Sequence, residues 1–232
     1  MSSIDLGVSM SDSTKLESFI KMASRIGLSG FATKEVDGLI VEPKRGFSLL
    51  KRMDLKGRGL TAIKNQVFKM RGLSMILAVP LTSVEIANWA SGDNKIDLLT
   101  LDPLRNHRLR ESTARLAAST GTHLEIQFAP LLDSVGLTRS KIIKMYREAV
   151  GTAIDTGMPV ILSSGAKYPL HLRSAMAMRH IGMLLGMDSK YAETVVCKKP
   201  FEILTRNKKK LGPRYVADGI EIIVGENDEE DP

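Results

Sequence analysis

Residues 160–174 read VILSSGAKYPLHLRS, an apolar run that breaks at Ser163, Ser164 and Gly165 and then offers Lys167, His171 and Arg173 within seven positions. Two chemistries use such parts. A serine beside a positioned general base is a nucleophile. Alternatively, small residues that leave backbone amides open at the start of a helix, with cations close behind, hold a phosphate. A plain helix cap followed by solvated basic residues is an equal alternative to the phosphate site. The nucleophile lacks the G-x-S-x-G elbow that would present it. A hydrolytic metal centre draws several His, Asp or Glu side chains to within about 2–2.5 Å of the ion. Of His107, His123, His171 and His180 only the last two are near each other, and nine residues apart on a helix they point in opposite directions. Asp5, Asp97 and Glu125 fall inside strand patterns and could serve a barrel interior, but without histidines to join them, ion pairs with Lys or Arg are the better reading. No catalytic residue, metal ligand or bound cofactor is therefore expected.

Charge favours the anion reading. The formal net charge is +7, and it includes an acidic end at Glu226, Asp228, Glu229, Glu230 and Asp231. Setting those five aside leaves 33 basic against 21 acidic groups over residues 1–224. The basic residues also cluster: Arg105, His107, Arg108 and Arg110 form one group, and Lys198, Lys199, Arg206, Lys208, Lys209, Lys210 and Arg214 form another. Each cation set on a nucleic-acid backbone releases condensed counterions, so such a body commonly meets phosphate. Aromatic residues make up only 5% of the chain, which disfavours base stacking along a single strand and favours phosphate and shape contacts to structured RNA.

These residues need elements to hold them. The chain of 232 residues fits a single α/β barrel domain. Apolar alternation predicts strands over residues 4–9, 28–33, 60–67, 74–79, 96–101, 123–128, 159–163 and 193–197, with a further strand over 215–224. Helical spacing predicts helices over 12–26, 47–53, 83–90, 106–120, 138–156, 175–185 and from Pro200 onward, capped at Thr14, at Thr82–Ser83 and at Thr138. The expectation is a TIM-barrel-like α/β fold of eight mainly parallel strands, with one helix missing between the third and fourth strands and an extra C-terminal strand. Residues 1–224 form one domain in this reading, and 225–232 a disordered acidic tail. Binding groups belong at the carboxyl ends of the strands. Cys197, the one cysteine, permits no disulfide framework; no apolar run spans a membrane and no leader pattern opens the chain, so a cytoplasmic location is expected.

The order and spacing of IQFAPLL at 126–132, Arg139, VILSSGAK, LRS and LLGM resemble those of ribonuclease P protein component 3 of archaea, a family related to the human thirty-kilodalton subunit. The resemblance runs through most of residues 4–210. It implies a barrel akin to the polymerase and histidinol phosphatase enzymes, serving as a subunit of the ribonucleoprotein that removes 5′ leaders from precursor tRNA. It also implies that chemistry lies with magnesium on the ribonuclease P RNA, that the protein pairs with component 2, a Pop5-like subunit, among other protein subunits, and that it helps the RNA fold. Family motifs map onto Ser163, Ser164, Gly165, Ala166 and Arg173; charge and placement add Arg105, His107, Arg139 and Lys167 as RNA-contacting residues. Leu131 and Leu132 are candidates for the partner surface. One departure matters. The related phosphoesterases open their first strand with an H-x-H metal motif, whereas this strand reads Asp5-Leu6-Gly7-Val8-Ser9. A metal-dependent phosphoesterase, or a scaffold for other structured RNA, are the alternatives.

Overall fold

A computed structural model describes residues 2–57, 59–105, 107–217 and 220–222. In chain order the elements are β1 (Ile4–Asp5), α1 (Leu16–Arg25), β2 (Gly30–Thr33), β3 (Ile40–Lys44), β4 (Phe47–Asp54), α2 (Leu60–Met70), β5 (Ile76–Pro80), α3 (Val84–Gly92), β6 (Leu98–Thr100), α4 (Glu111–Thr120), β7 (His123–Gln127), α5 (Ala129–Leu132), α6 (Gly136–Thr156), β8 (Val160–Ser163), α7 (Ala175–Leu184), α8 (Ser189–Cys197), α9 (Lys199–Lys210), β9 (Tyr215–Ala217) and β10 (Ile220–Glu221). Seven parallel strands run in the order β1-β2-β4-β5-β6-β7-β8, and β3 pairs antiparallel with the first half of β4.

Period-two alternation sorts each strand between two compartments. Ile76, Ala78, Leu98 and Ile161 point into one apolar cluster with Ile4, Leu6 and Leu50, and their neighbours Leu77, Val79, Leu99, Val160 and Leu162 meet the helices in another. The first cluster is the barrel interior, and α9 contributes Ile203 and Leu204 to it. The barrel nearly closes. Beyond the carboxyl ends of β1 and β8, the Gly165 amide donates to the Gly7 carbonyl at 2.7 Å and the Ser9 amide to the Ala166 carbonyl at 3.0 Å. Gly7 permits that approach, because a Cβ there would sit 2.5 Å from Ser163 Oγ and 2.6 Å from Glu125 Oε1.

The α/β barrel stands, with several elements reassigned. Residues 47–53, expected as a helix, form strand β4: Phe47 and Leu49 face one side while Leu50 and Arg52 face the other, and both sides are buried, so the alternation does not read as apolar against polar. Residues 60–67, expected as a strand, form α2, whose buried Ile63 and Val67 are one helical turn apart. A helix therefore does join the strands on either side of it, and the connection without one is from β2 to β4, which carries β3 instead. The expected eighth strand at 193–197 lies within α8, opened by Asp188, whose carboxylate accepts from the Lys190 and Tyr191 amides. The eighth strand of the sheet is β3.

Caps shift too. Asp12, not Thr14, caps the turn ahead of α1; Ser83, one residue after the Thr82 that opens the expected capping box, caps α3; α6 starts at Gly136, ahead of Thr138. The expected C-terminal strand is a short antiparallel pair, β9 with β10, apart from the barrel sheet. The acidic stretch 225–232 and the boundary at 224 lie outside the described residues. Among the described residues no helix is long and apolar enough to cross a membrane.

Candidate nucleic-acid interface

At the carboxyl ends of the strands, where barrel enzymes keep their chemistry, the interior is filled by a guanidinium. Arg52 of β4, 1% exposed, donates to both oxygens of Glu125 in β7 at 2.6 and 2.7 Å, to Asp54 at 2.6 and 3.0 Å and to the Leu6 carbonyl at 2.6 Å. Burial acts to lower the Arg52 pKa; the Asp54 and Glu125 carboxylates overcome it and hold the group firmly ionised. Glu125 also accepts from Thr100 Oγ1 at 2.6 Å, Ser163 Oγ at 2.7 Å and Gln127 Nε2 at 3.3 Å. Five donor groups around one carboxylate leave it no lone pair for a substrate proton. Asp5 sits beside this network with Oδ1 on the Gly7 and Ser164 amides, both at 3.1 Å, while Oδ2 has no hydrogen-bond partner among the described residues, and burial raises its pKa. Among the described residues no three of His, Cys, Asp and Glu gather as a group that could hold a metal ion.

Ser163, Ser164 and Gly165 do not form an open-amide turn. Ser164 N–H is taken by Asp5 and Gly165 N–H by Gly7, while Ala166 N–H bonds Ser164 Oγ at 3.1 Å. All three residues are buried, and α7 begins only at Ala175, so no helix dipole points at them. The conformation of Gly165, at φ 62°, is what lets the chain turn at the seam. These residues close the barrel, and their amides are taken up in doing so.

The cations predicted around them lie outside, on the rim. Lys167 Nζ stands 3.2 Å from Asp133 Oδ2, and His171 Nδ1 lies 3.9 Å from the other oxygen. Arg105 pairs with Asp102 at 3.2 Å, Arg139 Nε donates to the Ser134 carbonyl at 2.7 Å, and Arg173 Nη1 donates to the Leu170 and Leu172 carbonyls, both at 2.8 Å. The ion pairs are exposed ones, worth about 0–1 kcal/mol, so a phosphate can replace the carboxylate at small cost. Three surface cavities link Lys167 to other basic residues, while Arg105, Arg139, His171 and Arg173 line none of the three. One of about 430 Å³ runs from Lys167 to Leu104, one of about 410 Å³ from Leu104 to Arg108, Lys141 and Lys144, and one of about 440 Å³ from Arg108 to His107 and Arg110. Shared walls at Leu104 and Arg108 make them a continuous strip across the mouths of β6, β7 and β8.

Lys141 and Lys144 are additions to the residues singled out by sequence, and their spacing of three in the helix that carries Arg139 was the available signal. The C-terminal basic group is at the opposite end of the barrel and partly structural. Arg206 donates to Asp97 at 2.9 Å and to the Gly121 carbonyl at 2.7 Å, and Lys199 pairs with Glu202 at 2.6 Å. Asp97 also takes Arg71 and Asn207, both at 2.8 Å. Leu131, a candidate for the partner surface, is buried in the core.

Comparison with known proteins places this arrangement. The family model for RNase P subunit p30 matches residues 2–211, from the first strand through the last helix of the barrel. The chain belongs to the RNase P subunit p30 family. As a p30-family member it is a protein subunit of ribonuclease P, and its enzyme activity is that of the holoenzyme. Ribonuclease P protein component 3 of Methanosarcina acetivorans is 25% identical over 223 residues, 93% of this chain and 92% of that protein. The subunit drpp30 of Dictyostelium discoideum is 26% identical over 140 residues, 59% of this chain and 37% of that protein. Among solved structures, a chain from a cryo-EM structure of archaeal ribonuclease P with mature tRNA superposes with a TM-score of 0.79 at 19% identity, covering 96% of this chain and 99% of that one. That likeness carries the barrel fold.

Proposed function

We propose that this subunit binds the ribonuclease P RNA through the basic strip at the carboxyl end of the barrel and helps it fold for removal of 5′ leaders from precursor tRNA. The observation that carries the reading is a division of charge: the interior carboxylate Glu125 is saturated by Arg52, while Lys167, Lys141, Lys144, Arg108 and Arg110 line joined cavities on the rim. A barrel whose interior carboxylate is saturated and whose rim is cationic is suited to binding a polyanion. Magnesium, in this reading, sits on the RNA, and the cleavage belongs to that site. The protein partner is the Pop5-like component 2, and the particle works in the cytoplasm.

Reconstitution tests the reading. Purified protein alone is expected to cleave neither precursor tRNA nor a simple phosphomonoester, and to raise 5′ processing when added to its cognate RNA with component 2. No gain in processing, or metal-dependent phosphomonoester turnover by the pure protein that Glu125→Ala abolishes, overturns it. Equal retention of unrelated structured RNAs points to a general RNA scaffold instead.

A further inference from the structure

The cavity between Leu104 and Lys167 has a chemistry that the rest of the rim lacks. Its volume of about 430 Å³ falls in the ~300–1,000 Å³ range of sites for small organic groups. Loops after β1, β6, β7 and β8 and the start of α6 enclose it. Its walls include Leu104, 71% exposed, and Val135, 76% exposed, two large apolar side chains held out in water beside Pro130. Its fixed polar group is the carboxamide of Gln127. Nε2 donates to Glu125 Oε2 at 3.3 Å, and because that oxygen also receives Arg52 it must be an acceptor, which sets the amide's orientation. The backbone carbonyl of Gln127 is held by Tyr146 Oη at 2.8 Å. Oε1 and the second N–H of that amide have no protein partner among the described residues. Lys167 stands at the rim, ion-paired at 3.2 Å with Asp133, whose carboxylate also lines the cavity and must yield to a phosphate there.

Apolar walls, one oriented carboxamide and a cation at the edge are the parts that hold a nucleotide: the walls cover a base, the amide reads its edge, and the lysine meets its phosphate. A glutamine amide with one free acceptor and one free donor is complementary to the N6 amino group and N7 of adenine. We propose that this cavity receives a single unpaired adenosine splayed out of the RNA, read by Gln127 and covered by Leu104 and Val135. The proposal rests on the RNA-binding reading above and adds a base-specific contact to it. The scarcity of aromatic residues argues against tracking a single strand, but one base lifted from a structured RNA needs one pocket.

Salt dependence separates base contacts from phosphate contacts, because only the latter release counterions. Binding of the protein with component 2 to its ribonuclease P RNA would be measured from low to high salt for wild type, Gln127→Met and Leu104→Ala. Each variant is expected to lose about tenfold in affinity with an unchanged salt slope. Leu104 is exposed, so its truncation leaves the fold intact even if Gln127→Met disturbs Glu125. The same RNA carrying scattered 7-deazaadenosine is expected to show at least one unpaired position where the analogue weakens wild-type binding and has no further effect on Gln127→Met. Interference patterns identical in the two proteins, or Gln127→Met and Leu104→Ala binding as wild type, overturn the pocket while leaving RNA binding in place. Loss of binding to component 2 with an unchanged interference pattern assigns the cavity to the protein partner and overturns it equally. Wild type that fails to bind the RNA overturns the reading on which the proposal rests.

Discussion

Arg52 is the residue on which the barrel mouth depends. It is buried among Glu125, Asp54 and the Leu6 carbonyl, so truncating it strands one carboxylate in the interior and a second at its edge. Arg52→Met is expected to cost about 3–5 kcal/mol of stability in denaturant unfolding, and a second change, Glu125→Met, to recover a large part of it, since removing both charges avoids the unpaired ion. A loss under 1 kcal/mol for the single variant would mean that the pair is not held as described. The rim residues answer a different measurement. Lys167 and Arg105 are each more than half exposed, and among the described residues each side chain is bound by a surface carboxylate. Replacing either by Ala is expected to leave the melting temperature in place and to flatten the salt dependence of RNA binding by about one unit of slope if the side chain meets phosphate. Arg173, which shares its carbonyl contacts with the turn at 170–172, combines that role with holding the turn.

Among the elements, α9 decides how the amino end of the barrel behaves. It brings Arg206 and Asn207 onto buried Asp97 and covers His123 at the start of β7. Burial, then the charges of Arg206 and Lys199, push the His123 pKa down from 6.5 to about 3, and its Nδ1 contacts the Gly121 carbonyl at 3.0 Å, so the folded state holds the neutral ring. With the folded value depressed, the unfolded chain binds the proton first: the contribution is complete above about pH 6.5 and is lost as pH falls toward 3. Stability is expected to drop by up to about 1.4 kcal/mol per pH unit across that window from this group. Buried Asp5, whose pKa is raised, acts with the opposite sign and is lost as pH rises through its folded value, so the difference between wild type and His123→Gln isolates the histidine. The variant should show the flatter acid limb in urea titrations from pH 7 to 4.5; parallel limbs would contradict a neutral buried ring. The elements misassigned from sequence fail for a related reason. β4 reads as a weak helix because its Arg52 looks like a surface residue, and α2 reads as a strand because LTAIKNQV is too short a run for its period to show.

For the whole molecule, two ends divide the work. The carboxyl end carries the cationic strip, and the amino end is sealed by α9 with its Asp97 network. If, as proposed above, the metal belongs to the RNA, the isolated protein's stability rests on its own side chains. Chelation with EDTA is expected to leave the protein's melting temperature unchanged, within a degree or so, while abolishing leader removal by the assembled particle. A chelator-induced fall in melting temperature would place a structural ion on this chain.

Composition and local pattern were enough for the α/β class, the run of strands from residue 74 to 163, the basic character and the rim position of Lys167, Arg105, His107 and Arg139. Those properties are carried by each residue's own type and by periodicity along the chain. The saturation of Glu125, the structural use of Ser163, Ser164 and Gly165, and the withdrawal of Arg206 from the surface were decided by tertiary structure. Each depends on a partner between 38 and 159 residues away, as Ser163 with Glu125 and Ser164 with Asp5 show. Hydrogen bonds of that kind are set when the barrel closes, and no window along the sequence contains both ends of them.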